Sequence, residues 1–234
     1  MERQAKKKIL VLGIGNILWA DEGFGVRAVE MLHRHYAFPA NVSVLDGGTQ
    51  GIYLVQHVRA ADLLVVFDAI DYGLPPGTLK LIEGDSVPKY LGAKKMSLHQ
   101  TGFQEVLAMA EMLGGYPEHI LLVGVQPVQL EDFGGSLSPE IKACIHPAIG
   151  AALAWLGKHG IEATLRLHPL QQDQSIAGEE VDMARYEEGR PSEVEACRIG
   201  DGRVLACGDY TVIPRPYPLE PAALSVDVDH RGKY

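Results

Sequence analysis

Short, largely apolar runs recur along the chain, and each one ends in glycine or in a small or polar residue. These runs cover residues 8–13, 42–48, 63–69 and 121–126. The run over 8–13 is typical of a strand that is buried on both faces, as in a parallel sheet, and the other three runs also indicate strands. Residues 78–82 instead alternate between apolar and polar side chains, which indicates an edge strand. The sequence therefore predicts five strands.

The segments between these runs have the spacing of helices. Apolar side chains recur every three or four positions over residues 25–36, 49–58, 101–113 and 138–159. The last segment opens with Ser138 and Pro139 and closes before Gly160, which are start and stop signals for a helix. Because strands and helices alternate, we expect an α/β fold, a three-layer α/β/α sandwich on a mostly parallel five-stranded sheet.

The regular alternation stops near residue 163, and the charge changes there as well. Residues 1–163 carry a net charge of −4 and residues 164–234 a net charge of −5, although the second part is much shorter. We therefore predict an α/β domain over 1–163 and an irregular, acidic, proline-containing extension over 164–234, partly ordered or disordered. A hairpin over 193–206 and an extended stretch over 214–218 are conceivable within it.

The overall charge limits the partners that the chain can bind. The 234 residues have a formal charge of −9, which argues against nucleic acid and against an anionic membrane surface. Lys6, Lys7 and Lys8 precede an apolar run as in a signal peptide, but two glycines and an asparagine interrupt that run. The three cysteines lack metal-ligand spacing, and reduced thiols are favoured over a Cys197–Cys207 disulfide. We expect a cytoplasmic protein.

Three chemically active side chains are predicted at one edge of the sheet. Glu22 belongs to a glycine-rich turn after the first strand, and Asp68 ends the third strand. His99 precedes a helix and can reach both carboxylates if its loop folds over the carboxyl edge, where the sites of open α/β sheets lie. One imidazole and two carboxylates suit nickel or zinc and leave positions open for water or substrate. Asp21, beside Glu22, also fits a capping role at a helix N-terminus.

Two other kinds of site agree less well with the sequence. A dinucleotide fingerprint requires a third glycine where the chain has Leu18, and Asp46 lies farther along the chain than a ribose-binding acid should. A hydrolase with a serine or cysteine nucleophile lacks its local motif, because G-x-S-x-G is absent and Cys144 falls within a predicted helix.

Several segments together resemble the maturation endopeptidases of [NiFe] hydrogenases. The similar segments follow one another in order and at plausible spacing, and the resemblance spans about residues 8–162. They are residues 10–27, 45–49, 68–69, 76–78, 97–100 and 122–127. The resemblance implies a cytoplasmic, monomeric, aspartic-type endopeptidase that removes a C-terminal extension from the hydrogenase large-subunit precursor once nickel has been inserted.

The resemblance also implies roles for particular residues. Glu22, Asp68 and His99 match the family's metal-contacting positions, with Glu22 and Asp68 as the catalytic pair. Asn16 and Asp21 match the first motif and are given supporting roles. The nickel is expected to be supplied by the substrate, with another divalent metal as the alternative occupant. Whether the metal or a carboxylate activates the attacking water is left open.

Two functions from other classes remain as alternatives. One is a non-catalytic chaperone that binds the nickel-loaded large subunit while another protein cuts it. The other is a nucleotide-dependent oxidoreductase, which the imperfect glycine pattern makes the weaker of the two.

Overall fold

The computed structural model describes residues 6–91, 102–130, 132–171, 174–178 and 181–190. Within them a five-stranded sheet carries helices on both faces. Its strands are β1 (Ile9–Ile14), β3 (Val42–Gly48), β4 (Leu63–Ala69), β5 (Leu79–Glu83) and β6 (His119–Val125). A separate pair consists of β2 (Tyr36–Ala37) and β7 (Thr164–Leu165). The predicted five-stranded sheet is confirmed.

The helices alternate with these strands as predicted. They are α1 (Phe24–His35), α2 (Val55–Arg59), α3 (Val87–Leu91), α4 (Phe103–Met112), α5 (Pro139–Lys158) and α6 (Met183–Gly189). Ser138 is the N-cap residue of α5, with Pro139 in the first turn. The segment predicted as one helix over 49–58 divides into a short 3-10 turn, Gly51–Leu54, and α2. The sequence patterns did not predict the short helices α3 and α6.

The order of the strands places the end of β1 at a switch in the direction of winding. The order is β3-β1-β4-β6-β5, with β5 antiparallel to β6 and the other pairs parallel. The chain moves from β1 outward to β3 and then crosses to β4 on the other side of β1. A crevice opens where the winding reverses, at the carboxyl ends of the two strands on either side. Those strands are β1 and β4.

Each face of the sheet has its own apolar core. On one face, buried side chains of β1, β4 and β6 pack against α1 and α5. On the other face, the alternate residues of the same strands pack against α2, α3 and α4. Every residue of β4 is buried, which agrees with the apolar run that predicted this strand. The three-layer α/β/α architecture is confirmed.

Part of the chain beyond residue 163 contacts the α/β domain. Thr164 and Leu165 form β7, which pairs with β2, and Ile176 and Met183 pack against the core that contains α1 and α5. The division at residue 163 stays a prediction. The conceivable hairpin over 193–206, the extended stretch over 214–218, Cys197 and Cys207 lie outside the described residues. Over the described part of the chain, no helix is both long and apolar enough to cross a membrane.

Candidate active site at the carboxyl edge of the sheet

Glu22 lies in a tight turn between β1 and α1. The turn is a 3-10 segment, Ala20–Gly23, and the Glu22 residue is only 4% exposed. The backbone of Ala20 has a φ of +44°, in the left-handed region that residues other than glycine rarely adopt. Such strain persists only where the surroundings hold it, and it is frequent at functional sites. Sequence reasoning missed Ala20, because nothing in its residue type signals this conformation.

Glycines bring this turn into direct contact with the strand ends. Gly15 has a φ of +137°, and a Cβ added there would lie 1.8 Å from the carbonyl oxygen of Glu22. A Cβ on Gly25 would lie 2.2 Å from the carbonyl oxygen of Phe67 and 2.3 Å from that of Ile14. The first turn of α1 is therefore seated on β1 and β4 at backbone distance. This close packing explains why Gly15 and Gly25 are glycines without any need for a bound dinucleotide.

Asp68 lies on the central strand β4, next to the same turn. It is 1% exposed and pairs across the sheet with Gly124 of β6. The turn Ala20–Gly23 contacts β4, so Glu22 and Asp68 belong to the same edge of the sheet. Both carboxyl groups are thus withdrawn from bulk water at the switch point between β1 and β4. A carboxylate is stable in such a place only when it is hydrogen-bonded or paired.

The third predicted metal contact, His99, lies outside the described residues. Among those that are described, no three histidine, cysteine, aspartate or glutamate side chains form a group that could hold a metal ion. The described chain thus contains the two carboxylates of the predicted set and leaves the position of the imidazole untested.

Asp21 connects the turn Ala20–Gly23 to the loop between β6 and α5. Its carboxylate is fully buried and accepts hydrogen bonds from the backbone N–H groups of Val128, Gln129 and Ser138, at 2.9, 2.9 and 2.6 Å. The Ser138 hydroxyl also donates to it, at 3.0 Å. Asp21 therefore holds the loop between β6 and α5, as well as lying at the start of α1. The four hydrogen bonds give Asp21 a structural role, and its supporting role at the site stays a prediction.

Asn16 shapes the same turn from within. Its side-chain oxygen accepts a hydrogen bond from the backbone N–H of Leu18, 3.0 Å away, which is a local Asx-type turn. Asp46, considered above as a ribose-binding acid, forms a similar contact with the N–H of Gly48 at 2.9 Å. Burial raises the pKa of Asp46, and the Gly48 N–H and Arg27 lower it in part.

Gln126 holds another loop of this edge, a role that sequence reasoning missed. Its side-chain oxygen accepts hydrogen bonds from the backbone N–H groups of Tyr72 and Leu74, at 2.7 and 3.1 Å. Its amide nitrogen donates to Asp71 at 3.0 Å. The hydrogen bonds from Gln126 and from the Gly73 N–H lower the pKa of Asp71. A buried uncharged polar residue at the end of an apolar strand is the signal that could have identified Gln126.

The rim of the crevice exposes apolar side chains beside Glu22. Leu18, Trp19, Val128 and Phe133 are each between 37% and 49% exposed. The rings of Trp19 and Phe133 meet edge to face, with their centroids 5.4 Å apart. The backbone N–H of Glu22 donates to the carbonyl oxygen of Trp19 at 2.9 Å, which connects the rim directly to the buried carboxylate.

Cys144 does not have the surroundings of a catalytic nucleophile. Its thiol donates to the carbonyl oxygens of Gly77 and Glu140, at 3.2 and 3.3 Å. Burial and the negative charge of Asp21 raise the pKa of the thiol, which reduces the thiolate fraction on which reactivity depends. The geometry therefore agrees with the sequence in offering no cysteine mechanism at Cys144.

Comparison with known proteins identifies the family of this chain. The sequence model of the hydrogenase maturation protease family, HycI, matches residues 26–155. The chain belongs to the hydrogenase maturation protease family. It is therefore a peptidase, and this membership favours peptide hydrolysis over the oxidoreductase and chaperone alternatives.

Individual members of the family share much of the chain. The hydrogenase expression/formation protein HupD from Thiocapsa roseopersicina is 64% identical over 198 residues, which is 85% of this chain and 90% of the relative. The hydrogenase 2 maturation protease of Escherichia coli is 42% identical over 160 residues, 68% of this chain and 96% of the relative. An alignment of 198 residues must include residues after 162, so the similarity to this longer relative extends beyond the segments that carry the family resemblance.

Solved structures of the family share the fold. The hydrogenase maturating endopeptidase HybD from E. coli superposes with a TM-score of 0.64 at 41% identity, covering 68% of this chain and 98% of its own. The [NiFe] hydrogenase maturation protease HybD from Thermococcus kodakarensis gives a TM-score of 0.52 at 27% identity, covering 63% and 98%.

Proposed function

We propose that this protease removes the C-terminal extension of a [NiFe]-hydrogenase large-subunit precursor after nickel has been inserted. Glu22 and Asp68 are the catalytic pair, and together with His99 they contact the nickel that the precursor carries. The observation that supports this most is the burial of two carboxylates at the switch point of the sheet, in a member of a maturation protease family. A relative from T. kodakarensis bears the name [NiFe] hydrogenase maturation protease.

The residues fit a divalent metal presented by a substrate. Carboxylate oxygens are suitable ligands for such ions, and two of them supply negative charge at a place that excludes water. If the docked precursor completes the site, the contacts of Glu22 and Asp68 with nickel can form only after the metal has been inserted. Nickel would then identify the precursors that are ready to be cleaved. A metal at the site can polarise the scissile carbonyl or acidify a water.

The hydrolysis itself requires a base and a proton donor. A carboxylate of the pair takes a proton from water, and the water oxygen then bonds to the carbonyl carbon of the scissile peptide. The C–N bond breaks and the proton passes to the leaving amine, so that a new carboxyl terminus and a free amine result. Activation of the water by the metal is the other route. The close packing of Gly15 against the backbone of Glu22 holds this member of the catalytic pair in place.

Cleavage of purified precursor tests the proposal. The protease is incubated with nickel-loaded and nickel-free precursor, and the products are weighed by mass spectrometry. We expect cleavage only of the nickel-loaded form, and a loss of at least about 100-fold in rate for Glu22→Gln, Asp68→Asn and His99→Ala. Asp85→Asn, after β5, and Glu111→Gln, in the last turn of α4, are at exposed positions near the opposite edge of the sheet and are matched controls that retain full activity.

Two results would overturn the proposal. Full cleavage by all three variants would remove Glu22, Asp68 and His99 from the reaction. Tight binding of the nickel-loaded precursor without cleavage would instead support the non-catalytic chaperone. The same preparation tests the proposed monomer by light scattering, and cell fractionation tests the proposed cytoplasmic location.

A further inference from the structure

Residues 181–190, within the predicted extension, contact the helix that follows Glu22. The buried guanidinium of Arg27 donates to the carbonyl oxygen of Val181 and lies over the ring of Tyr186, 5.7 Å from its centroid. Arg34, farther along α1, pairs with Asp182 at 3.6 Å. The same nitrogen of Arg27 also pairs with Glu30 at 2.9 Å, so the carbonyl of Val181 is a second acceptor for a buried charged group and contributes to the fit of the segment.

The same segment contacts the loop in front of α5. The hydroxyl of Tyr186 donates to the carbonyl oxygen of Gly135 at 3.3 Å. Glu187 accepts from the Ser136 hydroxyl and from the Lys142 ammonium, both at 2.5 Å. Charge-assisted hydrogen bonds of this kind are stronger than neutral ones. Residues 181–190 therefore connect α1 to residues 132–138.

The loop held in this way forms one wall of the candidate active site. Phe133 meets Trp19, and the backbone N–H of Gly134 donates to the carbonyl oxygen of Leu18 at 2.7 Å. Ser138, at the end of the loop, is bound by Asp21. Residues 181–190 and the turn that carries Glu22 therefore contact the same loop.

We propose that residues 181–190 are a brace that sets the position of loop 132–138, and that Tyr186 and Glu187 are positioning residues for peptide cleavage. The polypeptide substrate occupies the apolar rim of Trp19 and Phe133, because a chain that reaches Glu22 must pass the residues of the same turn. The role of the brace rests on the proposed site at Glu22 and Asp68.

The lengths of the relatives agree with a brace that only some members possess. The 198-residue match to the Thiocapsa protein includes chain beyond residue 162, whereas the 160-residue match to the E. coli protease already covers 96% of that protein. The shorter protein is thus little longer than the sheet domain of this chain. We infer that the brace adjusts substrate binding in the longer members, while the chemistry resides in the shared domain.

Fluorine NMR of the full-length protein tests the structural half of this inference. The chain has two tryptophans, so labelling with 5-fluorotryptophan gives one signal from Trp19 at the rim and one from Trp155 in the core. A Trp19→Phe variant assigns them. We expect Glu187→Ala and Tyr186→Phe to shift the Trp19 signal and to leave the Trp155 signal in place. Glu188→Gln, on an exposed position of α6, is the matched control and shifts neither.

Kinetics with nickel-loaded precursor test the functional half. We expect Glu187→Ala to raise KM about tenfold with kcat changed less than twofold, because loss of substrate contacts at the rim weakens binding before the chemical step. Glu187→Gln, which keeps an acceptor for Ser136, should recover most of the loss. Tyr186→Phe, a milder change that retains the ring on Arg27, should raise KM about threefold even if Glu187→Ala fails to fold.

The outcomes separate the brace from the proposed function. If the wild-type protein does not cleave the precursor, the proposed function fails, and the fluorine spectra still decide whether the brace holds the loop. If the wild-type protein cleaves the precursor but Tyr186→Phe and folded Glu187→Ala both keep the KM of Glu188→Gln, the brace alone is overturned. An unmoved Trp19 signal in folded Glu187→Ala also overturns it.

Discussion

The carboxylate of Asp21 binds the backbone N–H and the hydroxyl of Ser138, although 117 positions separate the two residues in the sequence. Ser138 is the residue at which α5 begins, and Asp21 directly precedes Glu22. One buried side chain thus ties the start of α5 to the turn of the candidate active site. The neighbouring carboxyl groups have separate tasks, since Asp21 serves the fold and Glu22 is proposed for the chemistry.

Asp21→Ala should destabilise the protein strongly. The substitution leaves three backbone N–H groups and the Ser138 hydroxyl without their buried acceptor, and we expect a loss of about 3 kcal/mol in the free energy of unfolding. Urea denaturation measures this value. Asp21→Asn keeps one acceptor oxygen and should fall between the alanine variant and the wild type. Asp85→Ala, at an exposed position, should change stability by less than about 0.5 kcal/mol, and an equal loss in both alanine variants would contradict the structural role of Asp21.

Gly25→Ala should prevent α1 from seating on the strand ends. The new Cβ would collide with backbone oxygens of Ile14 and Phe67, which cannot move aside as a flexible side chain can. We expect a loss of about 3 kcal/mol or more. Gly150→Ala is the matched control, because that glycine lies inside α5 with nothing within 4 Å of the added Cβ. Thermal unfolding should show that Gly150→Ala gains about 0.5–1 kcal/mol in the free energy of unfolding. An equal change in stability for Gly25→Ala and Gly150→Ala would refute the close packing.

Gln126→Ala should release the loop after β4. The amide hydrogens of Tyr72 and Leu74 lose their acceptor, so their exchange with deuterium should become faster. Without the Gln126 hydrogen bond, the pKa of Asp71 should rise toward its ordinary value, which NMR titration measures. Gln126→Glu keeps the acceptor for both amides and places a second carboxylate beside Asp71. It should therefore keep the exchange of the Tyr72 and Leu74 amides slow and raise the pKa of Asp71 further. Slow exchange of these amides in Gln126→Ala would contradict the role of Gln126 as their acceptor.

The Glu187 contacts should weaken in acid. Burial raises the pKa of Glu187, but hydrogen bonds from Lys142 and Ser136 and the charges of Lys142 and Arg190 outweigh it, and the pKa lies below its ordinary 4.5. A carboxyl group with a lowered pKa in the folded state stabilises the protein above pH 4.5 and loses this effect as the pH falls through the folded value. The free energy of unfolding of the wild type should thus exceed that of Glu187→Gln by about 0.5 kcal/mol at pH 7, and this difference should shrink as the pH falls below 4.5.

Urea denaturation at several pH values measures the Glu187 effect. Since other carboxyl groups titrate over the same range, the informative quantity is the difference between the wild type and Glu187→Gln at each pH. Glu188→Gln, on an exposed position of the same helix, should show no such difference. A Glu187→Gln difference that stays constant as the pH falls through this range would mean that folding does not lower the pKa of Glu187.

The strands were predicted more accurately than the contacts of the site. The runs over 42–48 and 63–69 match β3 and β4 at both ends. The strand β4 is buried on two faces and leaves a continuous apolar signal, whereas β3 is a partly exposed edge strand. The helix α3 has five residues and a proline, too short for helical periodicity. Residues 181–190 had no apolar pattern either, because they contact the domain mainly through polar groups of Asp182, Tyr186 and Glu187.

The candidate site was predictable where position along a strand determines it. Asp68 ends an apolar run and Glu22 follows the first strand, so the carboxyl edge was the expected place for both, and the structure brings them there. The partners of Asp21 and Gln126 were not predictable, since hydrogen bonds over 107 and 54 positions depend on how the loops pack. The position of His99 stays a prediction.

The glycine-locked turn limits how such a protease can diversify. Gly15 and Gly25 place backbone against backbone around Glu22, so this stretch offers little space in which mutation can add a side chain. Backbone packing does not restrict the exposed side chains of Trp19 and Phe133 in this way. A lineage that acquires a new client hydrogenase must therefore vary the rim and its supports, while the first turn is inherited nearly unchanged.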